Sequence, residues 1–266
     1  MLENGITVVL FDLDDTLVVE MATEMAVTVQ TCEQAAQKAH VESEALFDAI
    51  HEHAQALWRA RPESEFCDRI GFAYFEGLWS TFEGDAPEIK RLREWGAAYR
   101  REAWRRALRA TGAQDGGLAE SLADEIAQAH MEARRRRHVV FDDTVETLKD
   151  LRSDYRVGMV TNGASDIQRA KLAGSGLEPY METVVVGGEL GVGKPHPAPF
   201  EEAMNQLRAT PAETAMVGNA LEKDILGARN AGIRGIWLNR GGATERVNID
   251  PDATIRNLFQ LRDALA

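Results

Sequence analysis

The chain has 266 residues, a formal net charge of −13, 44% hydrophobic and 27% charged residues. That length gives one large domain or two smaller ones with ample material for a core, and the composition is that of an ordinary soluble protein. The acidic balance argues against nucleic acid, whose phosphates call for a basic footprint, and no apolar run approaches the ~20 residues that cross a bilayer.

Cys32 and Cys67 stand far apart without a pairing motif, so a disulfide framework is not expected and a reducing, cytoplasmic setting is. Met1 to Asn4 do not resemble a signal peptide. The first element is Val8-Val9-Leu10-Phe11, an apolar run ending abruptly in Asp12-Leu13-Asp14-Asp15-Thr16. Such a run predicts a buried parallel strand delivering carboxylates to one edge of a sheet. Ligands of open α/β sheets bind beyond the carboxyl ends of the strands. If the strand continues, Asp12 and Asp14 share a side and want a cation between them, for which a hard divalent ion such as Mg²⁺ is suited. The same stretch also reads as a strand end followed by a solvated acidic turn.

From Val18 to Arg137 no convincing strand is predicted. Ala45, Leu46, Ala49, Ile50 and His53 fall on one helical face, and Trp95, Ala98, Tyr99, Ala103 and Leu108 on another with some drift. Breaks near Arg61-Pro62, Gly84 to Pro87 and Gly112 to Gly117 mark helix boundaries. The reading is a helical insertion of four to six helices. Phe72, Tyr74, Phe75, Trp79 and Phe82 suit its packing better than a substrate pocket. The basic face of Arg100, Arg101, Arg105, Arg106 and Arg109 reads as a solvated helix with nearby glutamates. Arg134 to Arg137 read as cations at a helix C-terminus, where they suit the dipole. His51, His53, His130 and His138 lack the i, i+4 spacing of a helical metal pair and are read as structural.

From Val139 strands and helices alternate. A helix around Thr144 to Leu151 precedes the strand Val157 to Val160, which ends in Thr161-Asn162-Gly163. A helix from Ile167 to Ala173 and the strand Thr183 to Val186 follow. A glycine loop then leads to Lys194-Pro195, with a helix from about Pro199 to Leu207. Ala215 to Val217 is a strand running into Gly218-Asn219, Glu222 to Ala231 is helical, Ile236 to Leu238 is a strand, and Ile255 to Leu265 closes with a helix. This rhythm predicts a doubly wound, Rossmann-like parallel sheet covered on both faces, to which the lone first strand belongs. The expected division is an α/β core over residues 1–17 and 138–266, interrupted by an all-helical insertion over 18–137.

The strand ends together offer Asp12 and Asp14, Thr161 with the amides of Asn162 and Gly163, Lys194, and Asn219 with Asp224 in Gly-Asn-x-x-x-x-Asp. Nucleophile, hydroxyl and amide donors, a cation and further oxygen ligands suit phosphoryl transfer. In this order the motifs resemble the haloacid dehalogenase superfamily of aspartate-nucleophile hydrolases. The resemblance implies a Mg²⁺-dependent phosphatase acting on a small phosphorylated metabolite, with Asp12 as nucleophile and Asp14 as acid and base. Thr161, Asn162 and Gly163 would hold phosphoryl oxygens, and Lys194 would offset charge. Mg²⁺ would lie among Asp12, Asp14, Asp224 and Asn219, and the insertion would be the family's helical cap. Many members carry Gly-Asp where this chain has Gly218-Asn219, which bears on metal affinity more than on reaction type. Within the superfamily a dehalogenase or a phosphosugar mutase are the alternatives, and outside enzymes a quiet binding protein. No role is assigned to Asp15 beyond a turn residue, and no oligomeric state is expected from the sequence.

Overall fold

The computed structural model describes residues 5–113, 117–242 and 248–266. Met1 to Asn4, and Gln114 to Gly116 of the expected boundary at Gly112 to Gly117, lie outside the described residues. Two units form. The first comprises Met1–Glu20, Val139–Gly163 and Leu172–Ala266, and the second Met21–His138 and Ala164–Lys171.

The first unit carries a six-stranded sheet of β1 (Val8–Phe11), β2 (Arg156–Thr161), β3 (Thr183–Val186), β4 (Thr214–Gly218), β5 (Arg234–Leu238) and β6 (Ala253–Ile255). The strands are parallel throughout and ordered β3-β2-β1-β4-β5-β6. The order reverses beside β1, which makes the carboxyl end of β1 the switch point where α/β sheets bind ligands. Side-chain alternation sorts the sheet's two cores. Val9 and Phe11 join Val157, Met159, Ala215, Val217, Ile236 and Leu238 on one face. Val8 and Leu10 join Val160, Val185 and Met216 on the other. The first face is covered by α7 (Thr144–Leu151) through Leu148 and Leu151, and by α12 (Leu261–Leu265). The second is covered by α10 (Ala198–Leu207), which follows the single turn α9 (Gly187–Leu190), through Phe200, Ala203, Met204 and Leu207, and by Ala228 of α11 (Leu226–Asn230). Both faces being dry explains why β1 is an unbroken apolar run instead of an alternating one. The doubly wound α/β class expected from the sequence is the observed one.

One boundary differs from the sequence reading. Ile255 does not start the closing helix: Ala253–Ile255 pairs with β5 as a sixth strand, and helix resumes near Leu258. Three residues are too few to show periodicity, and Asp252, whose carboxylate accepts the Gly235 amide at 2.7 Å, anchors them to the sheet.

Among the described residues the second unit is helical. Its helices are α1 (Met21–Ala39), α2 (Ser43–Arg59), α3 (Ser64–Ile70), α4 (Tyr74–Gly77), α5 (Pro87–Ala110), α6 (Leu118–Arg135) and the first turns of α8 (Ser165–Ser175). Phe72, Trp79 and Phe82 of the expected aromatic group pack its core together with Trp58, Tyr99 and Trp104, while Tyr74 and Phe75 are half-buried. The α2 stripe is Leu46, Ala49, Ile50, Ala54 and Trp58, so Ala45 lies outside it, as Ala98 lies outside the α5 stripe. Both small residues are tolerated on the wet face, because helix propensity favours alanine without burial. Arg101 pairs with Asp124, and Arg105, Arg106 and Arg109 with Glu102 and Glu120, as read, whereas Arg100 is half-buried and its Nη1 donates to the Ser80 carbonyl at 2.7 Å.

Arg134 stands at the helix C-terminus, as expected, but inside the core. It is buried at 1% exposure, with Nε 2.9 Å from Glu24 Oε2 and its guanidinium 4.6 Å from the Trp79 ring centre. Its Nη1 still donates to the Arg137 carbonyl at 2.9 Å, so it closes the helix end from inside the core. His130 lies against this pair, fully buried, 3.3 Å from the Thr28 hydroxyl. Burial, and then the Arg134 charge, push its pKa down to about 3.

Candidate active site

The strand β1 stops at Phe11, and the Asp12 amide still donates to the Val217 carbonyl at 3.0 Å. The backbone then curls. The Thr16 and Leu17 amides both reach back to the Leu13 carbonyl, and Asp15 takes a left-handed conformation with φ 55°. The Asp15 carboxylate accepts the Glu20 amide at 2.9 Å, so Asp15 closes the turn. The conditional expectation that Asp12 and Asp14 share a strand face therefore does not apply, because the strand ends before both. Asp14 instead sits half-buried in the turn, in a parallel bridge to Val18.

The curl sends the Thr16 hydroxyl, fully buried, back to Asp12. It lies 3.2 Å from Asp12 Oδ2 and 3.3 Å from Asn219 Oδ1. The other Asp12 oxygen is held by a cation: Lys194 Nζ donates to Asp12 Oδ1 at 2.6 Å and to the Val160 carbonyl at 2.7 Å. The same ammonium lies 2.8 Å from Asp224 Oδ1, with Lys194 and Asp224 each 1% exposed. Burial alone would lower the lysine pKa, but the two carboxylates outweigh it and hold the ammonium above its ordinary value. Burial pushes the Asp224 carboxyl up to about 6, Lys194 pulling it down and the Asp12 charge adding to the rise.

Lys194 is positioned by Asn162. The Asn162 carboxamide accepts the Lys194 amide at 2.7 Å and donates to the Lys194 carbonyl at 2.9 Å, a two-point clasp across the sheet edge. Glycine is required next door, because a Cβ on Gly193 would come 2.6 Å from Asn162 Oδ1. Thr161, 1% exposed, ends β2 beside this clasp, and Gly163 turns the chain with φ 105°, its carbonyl accepting the Gly188 amide at 2.9 Å. A wide turn over Leu221–Ile225 brings Asp224 back under the end of β4, where its Oδ2 accepts the Ala220 amide at 2.9 Å. Gly218 makes room: a Cβ there would meet Asp224 Oδ2 at 2.2 Å. The Asn219 carbonyl accepts the Trp237 indole N–H at 3.0 Å.

Lys194 thus gathers Asp12, Asp224 and Asn162, and Thr16 links Asp12 with Asn219. Sequence reasoning missed the Thr16 hydroxyl, the side-chain role of Asn162, and Arg240 with Asp143, described below. Thr16 stands within the first acidic motif and could have been found there. Arg240 has no signal in the chain. The oxygens gathered about Asp12 are all hard: its own carboxylate, the Asn219 amide oxygen linked to it through Thr16, and Asp224 Oδ1 linked to it through Lys194. The last is buried, with the Lys194 ammonium 2.8 Å away. That set fits Mg²⁺. Among the described residues no group of three or more His, Cys, Asp or Glu side chains forms a metal cage. An ion that keeps waters and takes substrate oxygens does not require one.

Comparison with known proteins bears on this geometry. The model of the haloacid dehalogenase-like hydrolase family matches residues 6–232. A phosphoserine phosphatase of Thermus thermophilus is 34% identical over 252 residues, covering 95% of this chain and 96% of the relative. Among solved structures, a 2-haloacid dehalogenase from Pseudomonas syringae pv. Tomato aligns with TM-score 0.61 and 28% identity over 98% of each chain. A HAD phosphatase from Thermococcus onnurineus aligns with TM-score 0.59 and 25% identity over 98% of each chain. With a buried aspartate at the switch point of its sheet and a family match over most of its length, this chain belongs to the haloacid dehalogenase-like hydrolases.

Proposed function

We propose that this hydrolase is a Mg²⁺-dependent phosphatase that cleaves a small phosphomonoester through an aspartyl-phosphate on Asp12. The observation that carries the reading is the Asp12 carboxylate, with Lys194 Nζ on one oxygen at 2.6 Å and the Thr16 hydroxyl near the other at 3.2 Å. A nucleophilic carboxylate must be fixed in direction and must survive beside an anionic phosphoryl group. The Lys194 ammonium offsets both charges.

Asp12 attacks phosphorus and forms the acyl phosphate. Asp14 gives a proton to the departing alkoxide and then takes one from the water that cleaves the intermediate. Thr161, with the amides of Asn162 and Gly163, holds phosphoryl oxygens, and Asn162 keeps Lys194 at their side. Asp12, the Asp14 main-chain carbonyl and Asn219 would hold Mg²⁺, which would supply charge neutralisation at the phosphoryl group. Asp224 sets the charge around Lys194 and completes the oxygen set. The helical residues 18–137 are proposed as the cap that excludes water and contacts the leaving group.

The first substrate to try is phosphoserine, because the relative matched over almost the full length is a phosphoserine phosphatase. The test is hydrolysis of p-nitrophenyl phosphate with and without EDTA, then kcat/KM across phosphoserine, sugar phosphates and nucleoside monophosphates. EDTA-sensitive phosphate release supports the reading. The dehalogenase alternative is tested by chloride release from 2-chloropropionate, and release of chloride without phosphatase activity would replace the proposal.

A further inference from the structure

We infer that Arg240 is a positioning residue for the Asp12 nucleophile, acting through the Thr16 turn. The inference rests on the phosphatase reading for its kinetic arm alone. Arg240 follows β5, far in sequence from the acidic motif, yet its guanidinium joins three pieces of the first unit. Its Nη2 donates to the Thr16 carbonyl at 3.0 Å. Its Nη1 and Nη2 donate to the two oxygens of Asp143 at 2.8 and 2.9 Å. Its Cζ lies 3.9 Å from the centre of the Phe141 ring.

Asp143 is itself fixed, 5% exposed and accepting the Leu258 amide at 2.8 Å. Burial would raise its pKa, but the Arg240 hydrogen bonds and the Leu258 amide outweigh that and lower it. The clamp is a bidentate fork, a stacked face and one further N–H aimed at a carbonyl. Only a guanidinium supplies all three, because an ammonium lacks the plane and the fork.

What the clamp holds is the turn that aims the nucleophile. Thr16 receives Arg240 on its carbonyl and turns its hydroxyl to Asp12 Oδ2. Leu17, the next residue, is tied to the same segment: its carbonyl accepts the Phe141 amide at 3.2 Å and the Thr144 hydroxyl at 3.0 Å. Val19 donates to the Val139 carbonyl at 2.8 Å. Residues 16–19 are therefore pinned against residues 139–144, and Arg240 with Asp143 is the charged clasp of that pairing. Without it the Thr16 carbonyl is released, and the hydroxyl that orients Asp12 is no longer held from behind.

The test compares wild type with Arg240→Lys and Arg240→Gln by steady-state kinetics, thermal melting and hydrogen exchange resolved by peptide. We expect both variants to lose about tenfold or more in kcat, with KM within about twofold, because orientation of the attacking group is lost and ground-state binding is not. Exchange should rise in peptides covering residues 13–19 and 139–144, with the central strands unchanged. In Arg240→Ala, added ethylguanidinium should restore part of kcat and of the protection, and an alkylammonium of similar size should not. The exchange arm reads the clamp even if wild type hydrolyses no phosphomonoester, which would overturn the phosphatase reading alone. Equal kcat in Arg240→Gln, or unchanged exchange at residues 13–19, overturns the inference. A uniform fall in protection with no guanidinium rescue would make Arg240 a stability residue only. If the Arg240 variants do not fold, Asp143→Asn carries the same kinetic and exchange expectations, since it removes half of the fork and leaves the arginine.

Discussion

Replacing Lys194 by methionine tests the charge arrangement most directly. The ammonium lies 2.6 Å from Asp12 Oδ1 and 2.8 Å from Asp224 Oδ1 and is 1% exposed. Methionine keeps much of the stem and its packing but removes the charge, leaving two buried carboxylates facing one another. Removing one partner of a buried pair costs about 3–5 kcal/mol, because the remaining charge stays uncompensated. In a chain of this size that corresponds to a fall in Tm of roughly 6–20 °C, at about 2–4 °C per kcal/mol. Asp224→Asn should cost less on its own, since Lys194 keeps Asp12 as a counter-ion. In the double variant Lys194→Met, Asp224→Asn, one of the two stranded carboxylates is gone. Its loss of stability should therefore fall short of the sum of the single losses by about 1–3 kcal/mol. Calorimetric melts of the four proteins without added divalent ion close the cycle, and phosphatase assays on the same samples should find both Lys194 variants inactive. Losses that add to within about 0.5 kcal/mol would refute the reasoning, since independent sites behave that way.

Three further outcomes are expected. Asp12→Asn keeps the shape but removes the attacking charge, so a folded variant should lose several orders of magnitude in turnover, and more than a tenth of wild-type kcat would sink the nucleophile assignment. Asn219→Asp adds a carboxylate near Thr16 and Asp12, worth about 1–2 kcal/mol toward a divalent ion, so half-saturating Mg²⁺ should fall roughly 5- to 30-fold. An unchanged Mg²⁺ titration would move Asn219 to the scaffold. His130 has a folded pKa of about 3, lowered from 6.5, so the unfolded chain binds the extra proton first. Its contribution is complete above pH 6.5 and is lost as pH falls toward 3, by about 1.4 kcal/mol per unit. His130→Gln should flatten the acid limb of stability against pH, and a limb as steep as wild type would show that other groups set it.

The parts of the fold legible in the sequence were those with a strong local signal. Val8 to Phe11 announced β1 because a strand buried on both faces must be apolar at every position. Thr161 and Asn219 stood out because a short apolar run ends beside each, and Lys194 because it follows a glycine loop after the next strand. The signal failed where tertiary contacts decide. β6 has only three residues, and nothing in Ala253-Thr254-Ile255 distinguishes a strand from the first turn of a helix. Arg134 read only as one of four cations at a helix end, and its burial was not legible because the Glu24 that compensates it stands 110 positions earlier in the chain. Asn162 was legible as a backbone position after β2, but its side-chain clasp on Lys194 depends on a loop 32 residues away.

The candidate site shows the same division at a finer scale. Asp12 could be found from the sequence, since a buried strand ending in acid at a sheet edge is a local pattern. The groups proposed to govern its reactivity come from separate crossovers of the sheet: Thr16 after β1, Asn162 after β2, Lys194 after β3, Asn219 and Asp224 after β4, and Arg240 after β5. Parallel connection forces this, because every strand in such a sheet must end on the same edge before its helix returns the chain. A single residue after each strand can therefore reach one point without any neighbour in sequence. That geometry also explains why the site depends on small residues that carry no chemistry. Gly193 and Gly218 sit where a Cβ would displace Asn162 or Asp224 by direct overlap. Alanine at either position should act on the Lys194 charge balance through packing alone, and its effect on activity should exceed its effect on stability.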